Sequence, residues 1–326
     1  MQVPETETAG VSSAVPAPAG VGDRLAESVA GRRSQLVLGL DPDPSRLWPR
    51  ALELADGRAA ASATGVERAA RAVAAHCRLL LEAAGEQCVA VKPQVACFER
   101  LGAPGWAALG EVVGDARDRG LLVIADAKRG DIDISARAYG QAFFGGIERS
   151  PFGPLPGLGV DLLTASPLLG RDSLAALLGE ARAAGGGLLV LVRTSNPGAA
   201  DVQDRRLSDG GAVSDALARL VDELGADGVG ASGLSDVGAV TGATVPEHLE
   251  RLRAAMGSAV MLLPGIGPQG ASGEGLEPAF APGPAGGLVS ASRAIVYAFE
   301  RAGGGPAEAA RDEAARLREL VWGLYA

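Results

Sequence analysis

Short apolar runs recur along the chain, each followed by a longer stretch rich in alanine, leucine and arginine. The runs at 36–40, 88–92, 121–126, 160–164, 188–193, 228–232, 260–264 and 287–290 have strand length and are nearly continuously apolar. Strands of that kind are covered on both faces, as in a parallel sheet. The segments 66–84, 132–144, 173–183, 213–224, 246–256 and 307–320 read as helices, and Pro246 stands where a first helical residue does not need its N–H. Eight such alternations predict an α/β fold, either a (β/α)8 TIM barrel or a doubly wound sheet. No G-x-G-x-x-G follows the first run, as a dinucleotide-binding sheet requires. Polar residues gather instead just after many different runs. That favours the barrel, whose site is assembled at the C-terminal ends of its strands.

Composition adds boundaries and exclusions. Residues 1–20 are rich in Pro, Ala, Thr, Ser and Glu and lack a basic stretch followed by an apolar one, so they predict a disordered tail rather than a signal peptide. Residues 21–326 then make a single barrel domain, whose length allows embellishments. Two Gly/Pro-rich stretches, 145–159 and 265–287, read as loops, the first an ornament and the second holding a candidate lid. With 30 basic against 39 acidic residues the formal charge is −9, which disfavours nonspecific binding of nucleic acid. A small anionic substrate remains possible, because a few local cations outweigh the bulk field. No apolar run reaches the length of about eighteen residues that a membrane span needs. Cys77, Cys88 and Cys97 lack metal-ligand spacing, and there are only two histidines, His76 and His248, both in helical segments and read as structural. These counts argue against a Cys/His metal site and for a reducing, cytoplasmic setting.

The most informative chemistry lies in LVIADAKRGDIDIS, which ends at Ser135. Side chains two apart on a strand share a face, so Asp126 and Lys128 at a strand end project towards one site. Gly130 breaks the extension, and Asp131 opens the next helix. Two carboxylates around an ammonium keep it charged, able to donate a proton but a poor amine nucleophile. A surface ion pair beside a helix cap has the same pattern, and the pattern alone does not choose between them.

With its neighbours, this segment resembles the orotidine 5′-phosphate decarboxylase family, in particular the longer bacterial branch with DAKRGDI. The resemblance runs from about Leu36 to Tyr297. It rests on Asp41 in LVLGLDPDPSRL, Lys92 in CVAVKPQ, the Asp126–Lys128–Asp131 group, Ser195 in LVRTSNPGA, Gln269 in LLPGIGPQG and Arg293 in VSASRAIVY, in that order. It implies conversion of orotidine 5′-monophosphate (OMP) to UMP and carbon dioxide, without metal or cofactor. Lys128 then stabilises the C6 carbanion and protonates it, while Asp126 lies near the departing carboxylate. Lys92 and Asp41 bind ribose hydroxyls, and Ser195 contacts the pyrimidine edge. Arg293, Ser292, Gly265 and Gly267 follow strands eight and seven, where barrels commonly hold phosphate, and Gln269 belongs to the lid. The resemblance further implies a homodimer in which Asp131 and Ser135 cross into the partner's site.

Three positions depart from the family's usual pattern: Ser135 for Thr, Asp133 for a small residue, and Leu168 where an aromatic is common. None removes a group the chemistry needs. The rival enzyme reading is a sugar-phosphate decarboxylase or aldolase of the same superfamily, which uses D-x-K-x-x-D with magnesium. The rival from another class is a catalytically silent nucleotide-binding barrel.

Overall fold

The computed structural model describes residues 20–56, 63–208, 210–242, 246–264 and 275–325. Eight parallel strands close into a barrel in chain order, β1 (Leu36–Leu40), β2 (Ala90–Pro93), β3 (Leu122–Arg129), β4 (Leu162–Ala165), β5 (Gly187–Arg193), β6 (Val237–Thr241), β7 (Met261–Pro264) and β8 (Gly287–Ala291). β8 returns to pair with β1. This is the (β/α)8 architecture that the alternation predicts. The helices of its first half are α1 (Val21–Arg32), α2 (Pro49–Ala55), α3 (Gly65–Ala84), α4 (Val95–Glu99), α5 (Gly102–Asp118) and α6 (Asp133–Phe143). Those of the second half are α7 (Arg171–Ala183), α8 (Ala199–Val202), α9 (Val213–Gly225), α10 (Pro246–Ala255), α11 (Arg293–Val296), α12 (Phe299–Ala302) and α13 (Pro306–Gly323).

Strand alternation divides the core in two. Val37, Ala90, Ile124, Leu162, Leu189, Val240, Leu262 and Leu288 fill the lumen, and Val21, Leu25 and Val29 of α1 press against them. The other strand face, with Leu38, Val91, Val123, Leu163, Val190 and Val289, packs on the outer helices. α1 covers the N-terminal ends of the strands: Arg24 pairs with Asp161 and donates to the Gly185 carbonyl, and Arg32 donates to the carbonyls of Arg119 and Gly120. Only a narrow i, i+4, i+8 stripe of α1 is apolar, which hides it in the sequence.

The structure corrects three expectations. The sixth strand is Val237–Thr241, not 228–232. The 228–232 segment has one large apolar residue, Val229, which is 43% exposed, and its Ala231 and Ser232 N–H groups donate to the Asp23 carboxylate instead of entering a ladder. The stretch 265–287 is not one long loop. Residues 265–274 lie outside the described residues, and those after them form two 3-10 turns, Glu277–Phe280 and Pro284–Gly286, with Leu276, Ala279 and Phe280 buried. Asp131 does not open a helix: α6 starts at Asp133, with Ile132 in the cap position.

Arg253, at the end of α10, fastens those turns to the barrel floor. It is 8% exposed and donates to the carbonyls of Met256, Gly257, Ala259, Pro278, Ala279 and Gly286. Burial lowers its pKa to about 10. The 145–159 stretch follows α6 and carries a short antiparallel bridge between Ile147 and Leu155, with Phe152 exposed between them. The segment 1–19, in which the tail is expected, lies outside the described residues.

Candidate active site

β3 runs further than its neighbours, and its pairing with β4 shifts between Ala125 and Arg129. Lys128 sits in that shift with a left-handed backbone, φ 50°. A non-glycine residue there is strained by roughly 1–2 kcal/mol, so the surroundings must hold it. The Lys128 N–H donates to Thr164 Oγ1 at 2.9 Å. On either side, Arg129 donates to the Ala127 carbonyl and pairs with Glu99, and the Ser166 N–H donates to the Arg129 carbonyl. The Lys128 ammonium stands 2.5 Å from Asp126 Oδ1.

Asp126 is the hub of the site. Its Oδ1 accepts from the Lys128 ammonium and, at 3.0 Å, from the Thr164 hydroxyl. Its Oδ2 accepts from Lys92 Nζ at 2.7 Å and Gln94 Nε2 at 3.1 Å. Burial works against this carboxylate, but the charges of Lys92 and Lys128 outweigh it and hold the pKa below the ordinary value. The group is therefore an ionised carboxylate between two cations. Lys92 is almost enclosed, with a side chain 10% exposed, whereas that of Lys128 is 46% exposed.

The array faces a cavity of about 260 Å³ at the C-terminal mouth of the barrel. Its far wall is apolar, with Leu191, Val240, Leu262 and Pro264, and its rim carries Thr194, Ser195 and Asn196. A larger groove of about 420 Å³ lies outside the barrel, against α12 and α13. We take the smaller cavity as the site because the charged array opens into it.

The rim loop is held from behind. Arg193 pairs with Asp204 at 2.9 Å, and the Thr194 N–H donates to Gln203 Oε1 at 2.7 Å. Gly242 passes so close that a Cβ there would lie 3.0 Å from the Ser195 Cα. Ser195 itself is exposed. On the opposite side Arg293, also exposed, is the first residue of α11 directly after β8. Its guanidinium makes no hydrogen bond or ion pair to another described residue, while its carbonyl accepts from the Tyr297 N–H. Ser292 lies against Gly39, where an added Cβ would meet the serine Cβ at 2.7 Å.

The Trp48 indole N–H donates to the Val296 carbonyl at 3.0 Å, and the Trp48 main-chain N–H donates to His76 Nδ1 at 3.1 Å, which ties α11 to the loop after β1. Burial lowers the His76 pKa to about 4, so this histidine is neutral and structural.

Thus Lys92, Asp126 and Lys128 come together, with Ser195 across the mouth. Asp41 is exposed one residue past β1 and forms no ion pair with either lysine among the described residues. Asp131 does not reach its own chain's Lys128: its carboxylate accepts from the Ile132 N–H, and its carbonyl accepts from Ser173 Oγ. The expected pair of carboxylates around Lys128 is therefore not supplied within one chain. Ser135 is exposed, in a patch where Ile132, Ile134, Leu168 and Leu169 are 56%, 78%, 75% and 51% exposed. Gly265, Gly267 and Gln269 lie outside the described residues. Sequence reasoning missed Gln94 and Thr164. Their signal was a polar side chain two residues beyond an inward-facing one, at Lys92 and Leu162 respectively.

No group of His, Cys, Asp or Glu side chains among the described residues is arranged to hold a metal ion. No helix among them is long and apolar enough to cross a membrane.

Comparison with known proteins places this geometry. Residues 34–311 match the model of the orotidine 5′-phosphate decarboxylase / HUMPS family. The orotidine 5′-phosphate decarboxylase of Rhodopirellula baltica is 41% identical over 266 residues, covering 81% of this chain and 84% of that protein. The solved OMP decarboxylase of Leishmania donovani superposes with a TM-score of 0.67 at 31% identity, covering 94% of this chain and 98% of its own. The UMP synthase of the same organism gives a TM-score of 0.69 at 32% identity; the match covers 94% of this chain but 57% of that one.

Proposed function

The chain belongs to the orotidine 5′-phosphate decarboxylase / HUMPS family, and from that premise we propose that its cavity converts OMP to UMP and carbon dioxide. One observation carries the mechanism: an ammonium held on a buried carboxylate opens into a cavity whose far wall is apolar. Breaking the bond between C6 and the carboxylate leaves an electron pair in the plane of the pyrimidine ring, where resonance gives little relief. A fixed cation beside C6 is stronger there than in water, because the low-polarity wall does not screen it. Lys128 stabilises the pair as carbon dioxide leaves, and the pair then takes a proton from the ammonium. The neutral amine regains a proton from solvent, to which its side chain is 46% open.

Asp126 keeps Lys128 charged and aimed, and its own charge faces the departing carboxylate. Lys92 balances Asp126 and, with Asp41, binds the ribose hydroxyls. Ser195 reads the pyrimidine edge. Arg293 takes the phosphate with Ser292, Gly265 and Gly267, beneath a lid carrying Gln269. The chemistry calls on no cofactor and no metal.

In this reading residues 21–326 form one catalytic domain, and the protein works in the cytoplasm as a homodimer. The exposed apolar residues Ile132, Ile134, Leu168 and Leu169 support the dimer, since the two isoleucines lie in sequence between Asp131 and Ser135, which find no role in their own chain's cavity. Asp131 and Ser135 then complete the partner's site. The deciding experiment follows the loss of OMP absorbance and the formation of UMP by purified protein, with and without a chelator. Turnover unaffected by the chelator is expected. Activity confined to a sugar phosphate with magnesium would replace this reading with that of the related sugar-phosphate enzymes.

A further inference from the structure

Thr164, the third residue of β4, touches both halves of the charged pair. Its hydroxyl is wholly buried, donates to Asp126 Oδ1 at 3.0 Å and accepts the Lys128 N–H at 2.9 Å. Those contacts meet at the point where β3 leaves its register with β4 and Lys128 takes a left-handed backbone. A regular parallel ladder would occupy the Lys128 N–H with a carbonyl of the neighbouring strand. In the shifted stretch the threonine side chain takes that place. The remaining lone pairs and proton of the hydroxyl leave it one donor and two acceptor positions, so a single group can serve both partners at once.

We infer that Thr164 is a positioning residue for decarboxylation: it fixes the Lys128 backbone and the Asp126 carboxylate relative to one another, and so sets where the ammonium stands in the cavity. Shape alone does not account for this position. Valine matches threonine in volume and is at home in a strand, but it offers nothing to the Lys128 N–H and nothing to Asp126. With that link gone, Lys128 can relax towards an ordinary strand conformation and swing its ammonium along the mouth. Displacement of a reacting group by about 1 Å costs on the order of 10²-fold in rate while leaving ligand contacts elsewhere intact. Among the described residues Thr164 makes no hydrogen bond to Ser195 or Arg293, the groups proposed to hold the base and the phosphate.

The inference rests on the decarboxylase reading, and the experiment keeps the two apart. Wild-type protein is assayed first with OMP, and absence of turnover overturns the reading itself. Thr164→Ser and Thr164→Ala both lose the methyl group and differ only by the hydroxyl, while Thr164→Val keeps the shape and loses the hydroxyl. All three are measured for kcat, for UMP affinity by calorimetry, and for thermal melting. The serine variant is expected within about threefold of wild-type kcat, and the alanine and valine variants roughly 10- to 100-fold below it with UMP affinity within about threefold. Should valine fail to fold, the serine and alanine pair still isolates the hydroxyl. Alanine turning over as fast as serine overturns the inference. So does a parallel loss of kcat and UMP affinity, which marks a general loosening of the site.

Discussion

The two ends of the barrel each bury a cation, and they treat it in opposite ways. At the N-terminal end, Arg253 is surrounded by six backbone carbonyls and has no carboxylate partner among the described residues. All its hydrogen-bonding capacity is spent on the chain itself, so it can fasten turns but cannot meet a ligand. At the C-terminal end, Lys92 is likewise enclosed, but Lys128 shares the same carboxylate with its side chain 46% exposed. Burial and charge therefore do not mark a catalytic group. Capacity left over after the protein's own contacts does. The same distinction separates Arg293, exposed after β8, from the equally cationic Arg193, which is committed to Asp204.

Removing the two cations should give opposite phenotypes. Lys128→Ala is expected to abolish decarboxylation by at least ~10³-fold, since one charge contact made in the transition state is worth several kcal/mol. Its melting temperature should stay near that of wild type; activity within tenfold of wild type would remove Lys128 from the mechanism. Arg253→Met should do the reverse. Several buried carbonyls lose their donor, for a net loss of about 3 kcal/mol in a denaturant titration. The surviving folded fraction should turn over OMP at the normal kcat, and a catalytic defect per folded molecule would mean that the two ends are coupled.

The phosphate side gives the next effect. Arg293→Ala should lower kcat/KM for OMP by roughly 10- to 100-fold, as expected for one charged hydrogen-bonded contact, and leave orotidine itself almost unchanged. Equal losses for nucleotide and nucleoside would take the phosphate away from Arg293.

A buried histidine without a charged partner should stay neutral, and His76 tests this. Its folded pKa, about 4, lies below the ordinary 6.5. Between those values the unfolded chain binds the proton and the folded one does not, so stability is complete above pH 6.5 and falls as the pH drops towards 4. From pH 6.5 to 5 the loss is about 1.5 kcal/mol. His76→Asn, whose amide oxygen can still accept from the Trp48 N–H, should flatten that slope. A wild-type stability independent of pH over the range would count against it.

The smallest expected effect concerns sharing between subunits. Inactive Lys128→Ala and Asp131→Ala chains, mixed under exchange, should recover roughly a quarter of wild-type activity, since about half the dimers are mixed and each holds one intact site. Exchange seen by mass spectrometry with no recovered activity would place Asp131 in its own chain's site or in none.

The barrel was legible because its signal is repetitive. Eight apolar runs are read together, and misplacing one of them, the sixth, does not change the architecture. That run failed for a local reason. Residues 228–232 (GVGAS) and 237–241 (VGAVT) are both short runs of small residues with glycine and valine, and it is the second that pairs with β5. At the site, Lys92, Asp126 and Lys128 were legible because each stands at the C-terminal end of its strand, and the pairing of Asp126 with Lys128 survives the register shift. Thr164 was not, because its role depends on a register shift that no single strand records. Asp131 shows a further limit. Two carboxylates near one lysine in sequence were read as near it in space, but α6 starts two residues later and carries the chain away from the cavity.

The link from His76 through Trp48 to α11 gives the molecule an optical consequence. Of the three tryptophans, Trp48 is 3% exposed, meets His76 edge-on at 5.3 Å and hydrogen-bonds the last residue of the helix that Arg293 opens. An indole in so fixed and dry a setting emits to the blue of the solvent-exposed kind, and its colour follows the polarity around its N–H. If Arg293 takes the phosphate as proposed, binding pulls at that helix, and a proton arriving on His76 places a quencher against the ring. The chain thus carries its own fluorophore between the proposed phosphate residue and a titrating histidine, and with Trp106 and Trp322 replaced by phenylalanine its emission reports on both in unlabelled protein.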